Sequence, residues 1–169
     1  MDKRTLRTRR MLKQTLVELA TEKSVYNVSV IELAEAACIN RGTFYVHYNS
    51  IPDMMDKLRE EFGVEVKEAA IAGASSGSAS TEGMVAGVME YLLESKAYFS
   101  TMFGSNGDQG FYKKLAEALE SAFEQSNLDF NAEAAAYRAG GLANLIGMWI
   151  GSNSPDVQPS AELFARMSE

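Results

Sequence analysis

The chain of 169 residues holds one cysteine, Cys38, and one histidine, His47. A single cysteine excludes an intrachain disulfide, and a single histidine leaves no metal-ligand cluster of the usual kind and no protease-type triad. Cys38 therefore reads as a small packed residue, and no cofactor is expected. Nor do acids, bases and nucleophiles converge in any motif, so the chain does not read as an enzyme. Long apolar runs are missing too: the best candidate, around residues 142–150, is about half of the roughly 20 residues a membrane-spanning helix needs. The opening MDKRTLRTRR leads into an amphipathic pattern instead of an apolar signal core, so the expectation is a cytoplasmic protein with no membrane partner. Net positive charge is absent as well. At −7 the chain as a whole argues against a phosphate-rich partner.

What is present qualifies that last exclusion. Residues 1–60 hold ten Lys or Arg against eight Asp or Glu, net +2, whereas the remainder holds six against fifteen, net −9. Such a division describes a modestly basic contact head on an acidic body. With 46% hydrophobic and 23% charged residues the composition is globular, and the length suits one compact unit or a small module followed by a larger one.

Every periodic segment has helical spacing and none alternates as a strand would, which predicts an all-α fold. Leu12, Leu16, Leu19 and Ala20 mark an amphipathic helix over residues 8–22. Ser29-Val30-Ile31-Glu32 has the S-x-x-E form of a capping box and starts a short second helix carrying Leu33, Ala34 and Ala37 inward. Asn40 caps a third helix. Ser50 and Asp53, with Pro52 in the first turn, start a fourth. The second helix, a turn of about three residues and a third helix opening on small and polar residues give the helix-turn-helix spacing. Within NRGTFYVHY, Phe44 and Tyr48 lie four apart and face inward with Ile39, which leaves Arg41, Thr43, Tyr45 and His47 outward. Residues 73–83, GASSGSASTEG, read as a linker or loop. Further helices are predicted over residues 84–96, 97–103, 111–125, 132–152 and 161–167.

SVIELAEAACINRGTFYVHY, residues 29–48, resembles TVxxIAxxAGVSxGTFYxHF, the amino-terminal pattern of the TetR (tetracycline-repressor-like) family of transcriptional regulators. The likeness covers about residues 8–60; beyond them it is architectural only. It implies a DNA-binding helix-turn-helix domain over residues 1–50, whose third helix enters the major groove, and a helical regulatory and dimerisation domain over residues 51–169. Arg41 is then placed to donate a bidentate pair to guanine or to meet phosphate, and Thr43 to touch a thymine methyl or a base edge. Gly42 lets the backbone approach beside the cap Asn40. Tyr45 and His47 resemble phosphate-contacting positions, Ser29 offers a hydroxyl and an amide to another phosphate, and Arg4, Arg7, Arg9 and Arg10 supply cations along the first helix and its arm. Two positions depart from the pattern. Cys38 stands where the family commonly has glycine, so the turn either accepts a less comfortable backbone or differs slightly. Ile51, followed by Pro52, stands where helix four usually opens with a phosphate-binding lysine.

A pair of recognition helices needs a dimer. The expected interface is the stripe Leu142, Leu145, Ile146 and Trp149, with Gly140, Gly141, Gly147 and Gly151 permitting close approach, joined by Leu163, Phe164 and Met167 in a four-helix contact. The same stripe also reads as the core of the second domain. Tyr91, Tyr98, Phe103 and Phe111 suit either an adaptable ligand pocket or plain core. The functional expectation is a homodimeric repressor on a pseudo-palindromic double-stranded DNA operator, released by a small-molecule effector or protein partner. The alternative is a coactivator or adaptor of the same fold that acts through a protein.

Overall fold

The computed structural model describes residues 3–75, 80–126, 131–152 and 156–167. Among these, all regular structure is helical: α1 (Lys3–Ala20), a 3-10 turn (Val25–Asn27), α2 (Val30–Ala36), α3 (Arg41–Tyr45), α4 (Ile51–Ser75), α5 (Thr81–Glu94), α6 (Lys96–Phe103), α7 (Gly110–Gln125), α8 (Ala132–Ile150) and α9 (Val157–Met167). Helix α1 begins five residues before the predicted start, because the charged residues of its first turns carry no apolar period to announce them. It buries Leu12, Thr15, Leu16 and Ala20.

Local chemistry sets the boundaries of the head. Ser29 Oγ accepts from the Glu32 amide at 3.1 Å while the Glu32 carboxylate accepts from the Ser29 amide at 3.5 Å, so two free donors of α2 are satisfied reciprocally. At the other end the Ile39 amide donates to the Ala34 carbonyl at 2.9 Å and the Cys38 amide to Glu35 at 3.0 Å. That pair of bonds is a Schellman cap, which needs a left-handed residue at Cys38. Its φ is +53°, the only positive value at a non-glycine among the described residues. The turn thus keeps its geometry and holds cysteine in a conformation costing about 1–2 kcal/mol for a residue with a β-carbon. Asn40 Oδ1 then accepts from the Gly42 amide at 2.8 Å and opens α3. Ser50 Oγ accepts from the Asp53 amide at 3.1 Å to open α4, with Pro52 in the first turn.

The body is built around α4, which packs mainly on α5 and α7, while α8 closes on α7 and α9 on α5. Residues 73–83, read as linker from their composition, are mostly something else. Helix α4 continues through Gly73 to Ser75 and α5 begins at Thr81; residues 76–79 lie outside the described residues. A β-carbon on Gly73 would overlap the Gly83 carbonyl, and one on Gly87 the Ala69 carbonyl. These glycines let the two helix backbones touch, a role that looks like loop composition when read along the chain. Further along, the Phe62 ring lies 5.0 Å from Phe111, 5.4 Å from Phe99 and 6.0 Å from Phe103, centroid to centroid. One contiguous apolar cluster runs from Leu12 in the head to Ala161 in α9.

Candidate nucleic-acid interface

Helix α3 divides its side chains as the spacing predicts. The helix ends at Tyr45, short of the stretch to Tyr48 that the sequence suggests; Phe44 on it and Tyr48 just beyond it are buried, their rings 5.7 Å apart, and anchor it to the core. Arg41 and Gly42 are exposed, Thr43 and His47 half-buried, and Tyr45 is 49% exposed with its ring edge-on to Phe44 at 5.6 Å. No ion pair or hydrogen bond engages the Arg41 side chain among the described residues, so its guanidinium keeps its full donor capacity for a partner. Ser29 and Asn40 are exposed at the amino ends of α2 and α3, and both side-chain oxygens are engaged as caps.

The basic residues of α1 separate into different tasks. Arg9 Nε donates to the Tyr48 hydroxyl at 3.2 Å, its guanidinium pairs with Glu61, and its Cζ lies 5.8 Å from the Tyr48 ring centroid. The hydrogen bond to Tyr48 is the main cause that raises the Arg9 pKa, against the opposing effect of burial. This side chain ties α1 to α4 and to Tyr48 just beyond α3, so it is engaged within the chain where the sequence reading gave it to a phosphate. Arg10 is exposed but lines a groove toward the body, with Lys13 and Tyr98, rather than the α3 side. At the start of α4, Ile51 is buried and offers nothing to a phosphate. A cation that sequence reasoning did not single out stands nearby: Lys57 Nζ donates to the His47 carbonyl at 3.2 Å, just past α3, and to Asp53 at 2.9 Å. Its only advance signal was the four-residue spacing from Asp53.

The head is clamped to the body. The Val25 amide donates to the Asn106 carbonyl at 2.9 Å. Arg59 of α4 donates to the Tyr26 hydroxyl at 3.1 Å and pairs with Asp56 and with Asp108, a buried carboxylate in the loop after α6. Burial first, then Asp108, raises the Tyr26 pKa, while Arg59 opposes the rise.

The expected dimer stripe points the other way. Leu142, Ile146 and Trp149 are buried in the chain's own core, α8 packing on α7 and α6; Leu145 and Phe164 are half-buried, and Leu163 and Met167 are exposed. Gly147 packs against the Tyr112 ring within the chain, whereas Gly140 and Gly141 have no atom near their open side. The outward face of α8 carries Tyr137, 83% exposed, and Met148, 73% exposed, and α9 exposes Leu163 and Met167. The pocket residues Tyr98, Phe103 and Phe111 are likewise buried, packed edge-on in the aromatic cluster, and Tyr91 is half-buried with its hydroxyl on Glu65. Together they form an aromatic knot, and Tyr98 at its edge also lines an open groove beside α1.

With the geometry described, comparison with known proteins identifies the architecture. No family model matches the chain, and no curated protein matches it in sequence. Solved structures do. A TetR transcriptional regulator from Streptococcus agalactiae superposes with a TM-score of 0.68 at 16% identity, over 99% of this chain and 97% of that one. The dihydroxyacetone kinase operon activator DhaS gives 0.63 at 14% identity, over 95% and 93%. The TetR family repressor AlkX from Dietzia gives 0.53 at 17% identity, over 94% and 92%. The described residues have the TetR-like all-helical fold. Among the described residues no helix is long and apolar enough to cross a membrane.

Proposed function

We propose that the protein is a cytoplasmic, homodimeric, DNA-binding transcriptional regulator, a repressor that binds a pseudo-palindromic operator and is released by an effector. The observation that carries this reading is the division of α3 and the turn after it: Phe44 and Tyr48 anchor the segment, which turns Arg41, unpaired among the described residues, with Thr43, Tyr45 and His47, away from the core. Base edges are read by Arg41 and Thr43, while Tyr45, His47 and the exposed Arg7 hold the duplex backbone. Two protomers join through the outward face of α8 and α9, where Tyr137, Met148, Leu163 and Met167 supply apolar area and Gly140 and Gly141 allow close approach. An effector acts by binding one conformation of the body better than another and so changing the separation of the heads. The neighbours include both an activator and a repressor, so the fold leaves the sign of regulation open to experiment.

A gel shift with DNA flanking the protein's own gene tests the reading. A retarded band that competes with specific and not with random DNA is the expected result; no band at low salt refutes it. The buried Ile51 and the internal pairing of Arg9, in a chain of net charge −7, favour a second reading, a coactivator or adaptor that acts through a protein. That reading predicts binding to DNA only in the partner's presence.

A further inference from the structure

Between α1 of the head, α4, and the α5–α6 junction of the body lies an open groove of about 810 Å³. Its size is that of a small-molecule site. Leu6, Val17, Leu58 and Ala97 give it apolar walls. Three carboxylates line it against four cations: Glu61 pairs with Arg9, Glu65 accepts from the Tyr91 hydroxyl and keeps its charge, and Glu94 is exposed. Of its cations, Lys96 donates to the Ser152 carbonyl at 2.9 Å. Lys13 is different. Its ammonium sits 3.9 Å from the centroid of the Tyr98 ring and 5.8 Å from that of Phe99, and no carboxylate lies within ion-pair distance among the described residues. Burial lowers its pKa, and Glu65 and Glu61 only oppose that at longer range. Beside it the Tyr98 hydroxyl is buried without a hydrogen-bond partner. The groups that act on that hydroxyl most strongly after burial itself are Glu61, Glu65 and Tyr48, all of them on the groove wall.

A half-buried ammonium with no carboxylate at ion-pair distance among the described residues favours an anion, in a place that also has apolar walls. We propose that this groove binds an amphiphilic anion, a carboxylate on an aliphatic body, with its head group on Lys13 and Arg10 and its tail along Leu6, Val17 and Leu58. A ligand seated there touches the head through α1 and the body through the α5–α6 junction, so it biases the angle between them while meeting the aromatic knot only at Tyr98. That consequence rests on the regulator reading above; the binding itself does not.

Calorimetric titration of the full chain without DNA, using octanoate, octylamine and octanol as probes, separates the two. Octanoate is expected to saturate at one per protomer and to bind at least about tenfold tighter than octylamine or octanol. Lys13→Met and Lys13→Gln, each removing the charge, should weaken octanoate by about tenfold while leaving the thermal midpoint unchanged or raised, since a desolvated charge is lost. The proposal is overturned by unchanged octanoate affinity in the folded neutral variants, by tighter binding of octylamine, or by no saturable uptake of octanoate in the wild type. Because DNA is absent, each of these results stands whether or not the operator experiment succeeds.

Discussion

The head and the body of this molecule are specified by different kinds of interaction. In the head, boundaries come from hydrogen bonds between residues two to five apart: the Ser29–Glu32 box, the Cys38 turn, the Asn40 cap and the Ser50–Asp53 start of α4. In the body, shape comes from contacts between residues far apart, the ring cluster about Phe62 and the backbone contact at Gly73, Gly83 and Gly87. Local rules put polar groups at the surface, where a partner can use them. Long-range packing fills the interior and leaves little room there for a ligand.

The strongest challenge to that contrast is Phe62→Ala. Loss of a buried ring from the knot should cost about 3–5 kcal/mol in chemical denaturation. Since one apolar cluster spans head and body, the helix-turn-helix should melt with the rest in a single transition; a head that stays folded alone would break the picture of a shared core. Gly73→Ala comes next. Its β-carbon meets backbone, which cannot rotate away, and the expected loss is about 1–3 kcal/mol despite the better helix propensity of alanine.

Changes on the exposed side of α3 should do the opposite. Arg41→Ala and Thr43→Ala are expected to weaken specific DNA binding by about 1–3 kcal/mol and to relax sequence choice, while moving stability by no more than about 0.5 kcal/mol. Anisotropy titrations paired with thermal melts measure both. Smaller still is Cys38→Gly, which relieves the left-handed backbone and should raise stability by about 0.5–1 kcal/mol after the added freedom of the unfolded chain is counted.

The smallest effect is set by pH. The Asn49 amide and then Lys57 hold Asp53 below the usual carboxylate range, and Lys23 does the same for Glu32. A folded-state value below the unfolded one adds stability at neutral pH that disappears as pH falls through and below about 4. Both groups sit at helix starts flanking α3, so acid should loosen the head first, seen as loss of α3 contacts by amide exchange. In Asp53→Asn the acid limb should flatten.

How much of this was legible follows the same division. The caps, the turn and the inward pair Phe44 and Tyr48 were readable because each is written within a few residues. Arg9 was read as a phosphate contact because a cation on a helix gives no sign of whether Tyr48 and Glu61 are waiting for it. The α8 stripe gave an apolar face without saying what covers it, and the protomer's own α7 and α6 do. Glycine-rich composition at residues 73–83 looked like slack chain, although Gly73 and Gly83 mark a tight helix crossing. The groove at Lys13 had no sequence signal at all, since α1, α4 and α6 meet there only in three dimensions.

Selection of bound duplexes from a random pool tests the central claim most directly, with the stoichiometry of the enriched complex read by native mass spectrometry. Two protomers per duplex, on an inverted repeat whose half-site centres lie about 34–36 Å apart or a multiple of it, are expected. A protein that stays monomeric and enriches no sequence at low ionic strength contradicts the account.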